Sequence, residues 1–130
     1  MSALQQDIYN QIKFRTKHLQ HGWAYFTLDE VLRHDKVVPA WVYENPQLKK
    51  DRWTGLLDKE QKEIYEGDIV KDGNYVGVVE WGVSRAGFIA TGGNQSIAMT
   101  TSFGLKAKDC EVIGNIYENP ELITNLDKKK

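Results

Sequence analysis

The sequence predicts a mainly β fold, a β-rich α+β chain with a small barrel or sandwich in its C-terminal part. From Trp53 onward, short apolar runs are separated by Asp-Gly, Gly and Asn turn signals, and many short strands at regular spacing are typical of barrels and sandwiches. Seven glycines lie between Gly73 and Gly104, where they mark turns and sharp bends. The length of 130 residues and the apolar share of 41% suit one domain or two small subdomains.

The chain is predicted to begin with a helix over residues 2–10, in which Ser2 and Gln5 form a capping box. The stretch "IKFR" (Ile12–Arg15) then alternates apolar and basic residues. This period of two predicts a half-buried strand with its basic side outward. A turn is predicted over residues 18–22, directly after the basic residues Lys13, Arg15 and Lys17, which have no acid among them.

A second strand and a short helix are predicted after this turn. Trp23–Phe26 is rich in aromatic residues, which favour strands. Thr27 and Glu30 have the spacing of a capping box, because a threonine hydroxyl and a glutamate three residues later satisfy each other's backbone N–H groups. We therefore expect a helix that begins at this point and continues through Arg33.

Residues 37–43 combine β-prone side chains with a proline. Val37-Val38 and Trp41–Tyr43 favour a strand, and Pro39 limits that strand to a sheet edge or a bulge because proline cannot donate to the ladder. Sheet edges invite pairing with another chain. The sequence therefore predicts a homo-oligomer with this segment at or near the interface.

Two hairpin turns and a core are predicted in the barrel segment. Asp72-Gly73-Asn74 and Gly92-Gly93-Asn94 contain residues that tolerate the positive φ of tight hairpin turns. The stretch Glu66–Trp81 is predicted to form strands. Its alternate residues, including Ile69 and Val79, are expected to form the inner face of the barrel.

The tetrapeptide "YENP" occurs twice, at Tyr43–Pro46 and at Tyr117–Pro120, each time followed by one polar residue and a leucine. Proline disfavours the helical region for the residue before it, asparagine is a good N-cap and proline suits the first helical turn. We interpret the repeat as one local geometry used twice, a strand end followed by a short helical turn. A duplicated subdomain and a repeated partner-binding peptide are the alternatives.

The chain contains, in this order, "IKFR" (Ile12–Arg15), "RWTGLLDKEQKEIYEGDIV" (Arg52–Val70) and "EVIGNIYENPEL" (Glu111–Leu122). Taken together, these three stretches resemble the YopX family, whose proteins are encoded largely by bacteriophages and prophages. The resemblance implies a β-rich fold with a small SH3-like barrel. It implies little about activity, because the family has no established biochemical function. The glycine-rich hairpin "GDIV…GVVEW" agrees with such a barrel independently.

The expected organisation is an N-terminal strand and helix subdomain over residues 1–52, an SH3-like barrel with a short C-terminal helix over residues 53–126, and an unstructured tail over residues 127–130. Cys110 is the single cysteine, so no internal disulfide forms, which fits a reducing compartment. The start lacks the features of a signal peptide and no apolar run has membrane-spanning length. We expect a protein of the bacterial cytoplasm that does not enter the membrane.

Histidines and the cysteine are the first candidates for chemistry. A metal site would need His18, His21 and His34 together, but no cysteine or acid accompanies the first two in their loop, so we expect surface histidines and no metal. Cys110 begins an apolar β run, where a lone cysteine is normally a small buried hydrophobe and not a nucleophile. No cofactor is expected.

Carboxylates and a glycine pair are the remaining candidates. Glu63, Glu66 and Asp68 would form an acid–base group, but the simpler interpretation is that Asp68 orders the turn before it through an Asx-type hydrogen bond. Gly92-Gly93-Asn94 lacks the following lysine and helix of a phosphate loop. The sequence therefore predicts no enzyme.

The tryptophans are either core residues or parts of a binding surface. Trp81 lies at a strand end close to Arg85, and exposed aromatics beside an arginine suit contacts with peptides or single-stranded nucleic acid. Trp81, Arg85 and Trp41 form the predicted partner-binding surface. In a small barrel the core is nevertheless the favoured place for a tryptophan.

Two functions follow. The first is a non-enzymatic phage accessory protein of unknown role that binds itself or another phage or host protein. The second is a nucleic-acid-binding module, which requires Lys13, Arg15, Lys17 and the tail lysines Lys128–Lys130 to gather on one face. The net charge of −1 argues against a general attraction to nucleic acid, so we expect no sequence-specific DNA binding and at most weak binding that fades as salt rises.

Overall fold

The computed structural model describes residues 11–93, 95–100 and 104–123. The chain divides into two compact units, Met1–Trp53 and Thr54–Lys130; the division predicted from the sequence falls one residue earlier. Strands dominate both units, which confirms the mainly β fold. The predicted helix over residues 2–10, with its Ser2 cap, and the predicted tail lie outside the described residues.

The complete described elements are ten strands, two short α-helices and two 3-10 turns; residue 11 and residues 121–123 are also helical. In chain order they are β1 (Lys13–His18), β2 (Gly22–Thr27), α1 (Leu28–Leu32), α2 (Ala40–Glu44), β3 (Asp51–Leu57), β4 (Glu63–Tyr65), β5 (Asp68–Asp72), β6 (Tyr75–Gly82), a 3-10 turn (Val83–Arg85), β7 (Gly87–Gly92), β8 (Gln95–Thr100), β9 (Leu105–Lys106), a 3-10 turn (Ala107–Asp109) and β10 (Glu111–Asn115).

The N-terminal unit is built on the antiparallel β1–β2 hairpin. The first residues of β3 pair with the other side of β1, with Phe14 opposite Arg52. Because side chains alternate along a strand, one face of this sheet is apolar. Its residues pack with α2 and the segment before it into one core cluster, which contains Phe14, Ala24, Phe26, Val31, Val38, Trp41, Val42 and Tyr43.

Helix α1 begins with the predicted capping box. The Thr27 hydroxyl accepts a hydrogen bond from the Glu30 backbone N–H at 3.1 Å, and the Glu30 carboxylate accepts one from the Thr27 backbone N–H at 2.8 Å. Both donors would otherwise lack a partner in the first helical turn. The helix ends at Leu32, close to the predicted end at Arg33.

The predicted edge strand around Trp41 is wrong. Ala40–Glu44 forms helix α2 directly after Pro39, and proline suits a helix start because the first turn needs no N–H there. Val38 and Val42 are four residues apart and are 3% and 2% exposed, so burial in the core decides over β-propensity. The homo-oligomer was predicted from an edge strand in this segment, and the structure has no such strand there.

The C-terminal unit contains a six-stranded sheet in the order β10-β5-β6-β7-β8-β9. Its pairs are antiparallel except β8 with β9. The two predicted hairpin turns are confirmed, because Gly73 and Gly93 adopt φ of 58° and 59° between paired strands. Asn94 lies outside the described residues. The SH3-like connectivity stays a prediction.

The core of this unit forms on one face of the sheet. Its buried members are Ile64, Val70, Val79, Ala90, Met99, Leu105, Ala107 and Cys110. Val79 lies on the inner face as predicted, but Ile69 does not: Val70 is opposite Gly77, so Val70 shares the face of Val79. Asp68, Ile69 and Val70 are all buried, and both faces of β5 carry a charged residue, Asp68 beside Val70 and Lys71 beside Ile69, so the alternation does not indicate which face is the inner one.

The two "YENP" copies share one feature and differ in their surroundings. In both, the asparagine carbonyl accepts a hydrogen bond at 3.1 Å from the N–H of the leucine three residues later. The first copy ends helix α2 at Asn45 and does not follow a strand, whereas the second follows β10. Neither asparagine side chain caps the turn that follows. Asn45 donates back to the Trp41 carbonyl, and Asn119 accepts from the Asn115 N–H.

Removal of the Asn119 side chain is expected to destabilise the protein modestly. Its Oδ1 atom accepts from the Asn115 backbone at 3.2 Å, and a lost hydrogen bond of this type costs about 0.5–1.5 kcal/mol. Chemical denaturation of Asn119→Ala should show this loss. Asn45→Ala is the matched variant in the other unit; an unchanged midpoint for Asn119→Ala would mean that the side chain has no structural role.

Candidate functional site

A partly exposed apolar surface lies at the end of the β6–β7 hairpin, and we call Trp81, Val83, Arg85 and Phe88 the hairpin surface. Trp81 is opposite Phe88, two positions along from the pair of Val79 with Ala90. The hairpin surface therefore continues the core-facing side of the two strands. The Trp81 and Phe88 rings make an edge-to-face contact, with centroids 5.1 Å apart and planes at 81°.

Exposure distinguishes the hairpin surface from the core. Trp81 is 39% exposed and Val83 is 84% exposed. Val83–Arg85 forms a 3-10 turn that ends at Ala86 in the left-handed conformation, with φ of 50°. Arg85, in this turn, is exposed. Two of the three residues predicted to bind a partner thus lie together.

Trp41, the third predicted residue, belongs to the N-terminal unit and packs against its core. The rings of His18 and His21 lie 5.4 and 5.6 Å from the Trp41 ring, and the His21 ring is nearly parallel to it. Trp41 is therefore a half-buried packing residue of the N-terminal unit, whereas the hairpin surface belongs to the C-terminal unit.

A second surface, which we call the basic–aromatic face, lies on the side of the N-terminal sheet opposite its core. It consists of Lys13, Arg15 and Lys17 on β1, Trp23 and Tyr25 on β2, and Trp53 on β3. The register places Arg15 opposite Tyr25 and Lys17 opposite Trp23. Lys13, Arg15 and Lys17 therefore lie on one face of β1, as the nucleic-acid hypothesis requires of them. The tail lysines, which that hypothesis also places on this face, lie outside the described residues.

Cations and rings alternate on the basic–aromatic face. The Lys13 ammonium lies 4.6 Å from the centre of the Trp53 ring. The Arg15 guanidinium and the Lys17 ammonium lie 4.7 and 5.4 Å from the Trp23 ring. The Trp23 and Tyr25 rings are stacked with centroids 6.2 Å apart, so these two aromatic side chains adjoin each other, whereas Trp53 lies on the other side of β1.

The central cation of this face is ion-paired. Arg15 is 4% exposed, and its Nε atom donates to an Asp51 carboxylate oxygen at 3.2 Å. The Lys49 ammonium lies 3.4 Å from the other oxygen of the same carboxylate. Two cations, Arg15 and Lys49, thus lie at the same carboxylate.

The sequence model of the YopX family matches residues 5–124. The chain belongs to the YopX family. No curated protein matches it. Among the residues that the structure describes, no helix is long and apolar enough to cross a membrane.

The histidines of this YopX-family chain do not gather into one site. His18 accepts hydrogen bonds at Nδ1 from the N–H groups of Gln20 and His21, whereas the His34 ring stacks on Tyr43 at 4.4 Å. Over residues 11–93, 95–100 and 104–123, no group of three or more His, Cys, Asp or Glu side chains is placed to hold a metal ion.

Cys110 is a buried core residue. It has no exposed surface, and its thiol donates to the Lys106 carbonyl at 3.2 Å. Burial, together with the nearby carboxylates of Asp72, Asp109 and Asp58, raises the pKa of Cys110 to about 11. A nucleophilic cysteine needs the opposite environment, one that stabilises the thiolate.

The predicted carboxylate group is structural. Asp68 is 2% exposed, and it accepts a hydrogen bond at 2.8 Å from the Tyr65 backbone N–H across the turn that contains Gly67. Glu63 accepts from the Tyr65 hydroxyl at 3.2 Å. These bonds agree with the turn-ordering role predicted for Asp68.

Sequence reasoning missed Asp58, which organises the loop between β3 and β4. One carboxylate oxygen accepts from the N–H groups of Glu60 and Lys62, and the other accepts from Val112 at the start of β10. Burial alone would raise the pKa of Asp58, but these three backbone donors outweigh it and the net pKa is lowered. An aspartate at the start of a polar "DKEQK" loop is a signal for such an Asx turn.

Proposed function

We propose that this protein is a non-enzymatic accessory protein of a bacteriophage or prophage, which acts in the bacterial cytoplasm by binding protein. The hairpin surface is the binding site, and the first partner to test is a second copy of the chain. Family membership supports the general class, because the motifs of this chain resemble a family known largely from phages.

The observation behind this proposal is the exposure of Val83 beside the Trp81–Phe88 pair. Single exposed apolar residues are common on protein surfaces, but here the exposed Trp81 and Val83 lie two positions apart at one hairpin end. The half-buried Phe88 is opposite Trp81, and Arg85 lies in the turn that joins the two strands. Tryptophan and arginine are the residues most enriched among those that dominate binding energy at protein interfaces. The hairpin surface has this composition.

Self-association is favoured as the first partner because the chain has a net charge of −1. Two copies therefore experience little mutual repulsion, and near-zero net charge promotes association. In a dimer with two-fold symmetry, the hairpin surface of one copy would contact the hairpin surface of the other. Such a contact is possible because the centre of this surface is apolar, so that the two copies do not repel each other strongly.

Val83→Asp is expected to weaken this association at least tenfold, because a charge placed in an apolar contact loses its hydration. Sedimentation velocity over a range of concentrations measures the effect. Leu19→Asp is the matched control, since Leu19 is also an exposed apolar residue, 99% exposed, but lies in the β1–β2 turn.

The proposal requires the wild type and Leu19→Asp to associate alike and Val83→Asp to remain monomeric. If the wild type is a clean monomer at high micromolar concentration, self-association is wrong. Affinity capture from phage-infected cells, with Val83→Asp as the negative bait, then tests binding to a different protein. Equal capture by both baits would exclude the hairpin surface.

A further inference from the structure

A pocket of about 320 Å³ lies in the N-terminal unit, where the chain passes from helix α1 to helix α2. Small-molecule sites have volumes of roughly 300–1,000 Å³, so the pocket suits a small ligand. The exposed residues among those that line it make it accessible from solvent. We call it the linker pocket, and it is lined by His34, Asp35, Lys36, Val38, Ala40 and Tyr43.

The end of helix α1 fixes one wall of the linker pocket. The N–H groups of His34 and Asp35 donate to carbonyls of α1 at 3.3 and 3.0 Å, in the pattern of a Schellman motif. This motif needs a left-handed residue after the helix, and His34 has φ of 51°. The Asp35 carboxylate is held in turn by the Val37 N–H and the Arg33 guanidinium, each at 3.0 Å. The wall is therefore preformed.

The Tyr43 hydroxyl is shielded from water and has no hydrogen-bond partner among the residues that the structure describes. Such groups are rare, because a shielded polar atom without a partner destabilises the fold. Within the same part of the chain, Asp29 Oδ1 is in this state too, but its carboxylate is already bound by Arg33 at 2.9 Å. Burial, together with the carboxylates of Asp35 and Glu30, raises the pKa of Tyr43, so its hydroxyl keeps its proton at neutral pH.

The polar groups of the linker pocket suit a ligand with both a donor and an acceptor. The Tyr43 hydroxyl and the Lys36 ammonium donate hydrogen bonds. The Asp35 carboxylate accepts them, and each of its oxygens has a second lone pair beyond the bond it already accepts. Lys36 and Asp35 have opposite charges, so a neutral ligand would leave neither sign in excess. A carboxamide has a carbonyl acceptor and an NH₂ donor on one group.

The rings and the apolar side chains favour a flat, small ligand body. The His34 and Tyr43 rings stack with centroids 4.4 Å apart and planes at 16°, and aromatic side chains pack well against other rings. Val38 and Ala40 supply apolar lining. Side chains commonly change rotamer on binding, and rotation of the exposed His34 ring would admit a ligand to the shielded hydroxyl.

We propose that the linker pocket binds the carboxamide group of a small planar aromatic molecule. The ligand carbonyl accepts hydrogen bonds from the Tyr43 hydroxyl and the Lys36 ammonium, and the ligand NH₂ group donates to the Asp35 carboxylate. The opposite charges of the pocket favour this neutral group over an acid or an amine of the same shape. The site is independent of the hairpin surface, which belongs to the other unit.

Nuclear magnetic resonance titration of the ¹⁵N-labelled full chain tests the proposal, with benzamide as the probe. Backbone amide signals of residues 34–43 should shift, with a Kd of about 1 mM, as expected of so small a ligand. Benzoate and benzylamine have nearly the same shape and opposite charges, and each should bind at least about fivefold more weakly. Equal binding of either charged analogue, shifts confined to other residues, or no shifts at about 10 mM benzamide would overturn the proposal.

Tyr43→Phe tests the hydroxyl itself, because this change removes a single oxygen. Benzamide binding should weaken about tenfold, whereas the melting temperature of the ligand-free protein should stay the same or rise, since the lost group had no partner. Tyr75→Phe is the matched control: the Tyr75 hydroxyl donates to the Ala90 carbonyl at 2.8 Å, so this variant should melt at a lower temperature and bind benzamide like the wild type. The proposal is wrong if Tyr43→Phe keeps wild-type affinity, or if it lowers the melting temperature as much as Tyr75→Phe does.

Discussion

Val79→Asp is expected to prevent folding altogether. Val79 is 1% exposed and lies in the core cluster with Val70, Ala90 and Met99. A carboxylate at this position has to be buried without a partner, or be protonated at a large cost in free energy. Because small domains are stable by only about 5–15 kcal/mol, this one change is expected to remove most of the stability of the C-terminal unit.

Circular dichroism should show loss of the cooperative thermal transition, and near-ultraviolet signals from the tryptophans should weaken. Val83→Asp is the matched control: the same substitution is made four residues later, where the side chain is 84% exposed. At a protein concentration low enough for the wild type to be monomeric, Val83→Asp should melt like the wild type. A folded Val79→Asp with a wild-type melting curve would contradict the placement of Val79 on the inner face of the sheet.

The second largest effect is expected at Asp58. Its carboxylate accepts three backbone N–H groups, from Glu60, Lys62 and Val112, at 2.8–2.9 Å. Asp58 is itself 2% exposed, and a buried donor without an acceptor costs about 1–3 kcal/mol. Asp58→Ala is therefore expected to lower the free energy of unfolding by about 3 kcal/mol or more, measured by denaturant titration near pH 7.

The pH dependence of this effect has a fixed sign. The pKa of Asp58 is lower in the folded state than its ordinary value. The contribution of the ionised Asp58 carboxylate to the free energy of unfolding is therefore fully present above the unfolded-state pKa, which is about 4. The contribution disappears as the pH falls through the folded-state pKa. The difference in stability between the wild type and Asp58→Asn should therefore narrow below about pH 4.

Glu60→Gln is the control for this prediction, because it removes one negative charge from an exposed side chain in the same loop. It should change the free energy of unfolding by less than about 0.5 kcal/mol and should leave the acid profile unchanged. If Glu60→Gln and Asp58→Asn have equal effects, the loop is held by general electrostatics and not by the Asp58 hydrogen bonds.

Local backbone chemistry could be predicted from the sequence because its signals lie within a few residues. The Thr27–Glu30 capping box involves two side chains three positions apart, and both are found in their predicted roles. The turns at Gly73 and Gly93 need a conformation that glycine adopts without steric cost, so the residue type alone indicates them.

Packing between distant segments could not be predicted in the same way. Trp41–Tyr43 has the composition of a strand, but it lies in helix α2, and its Val42 is buried in the same core cluster as Val38 from the segment before the helix. The choice of Ile69 for the inner face failed for a related reason. Charged residues occur on both faces of β5, with Asp68 and Asp72 on the face of Val70 and Lys71 on the face of Ile69, so the alternation does not choose the inner one.

The candidate surfaces were predicted in part. The outward basic side of β1 follows from its alternation, which the sequence shows directly. Its partners Trp23 and Trp53 come from the register of β1 with β2 and β3, and register depends on pairing between segments up to 40 positions apart. The Trp81–Phe88 contact likewise needs the β6–β7 register.

Cys110 gives the chain a built-in reporter of its own opening. A fully buried thiol that donates to a backbone carbonyl reacts with an alkylating reagent only while the surrounding core is open. Since Cys110 is the only cysteine, the whole labelling rate belongs to that one event. When the core closes faster than the thiol is labelled, the observed labelling rate divided by the labelling rate of the unfolded chain equals the equilibrium constant for opening. This constant ranks the stabilities of variants such as Asp58→Asn. The measurement needs only nanomolar protein and no denaturant.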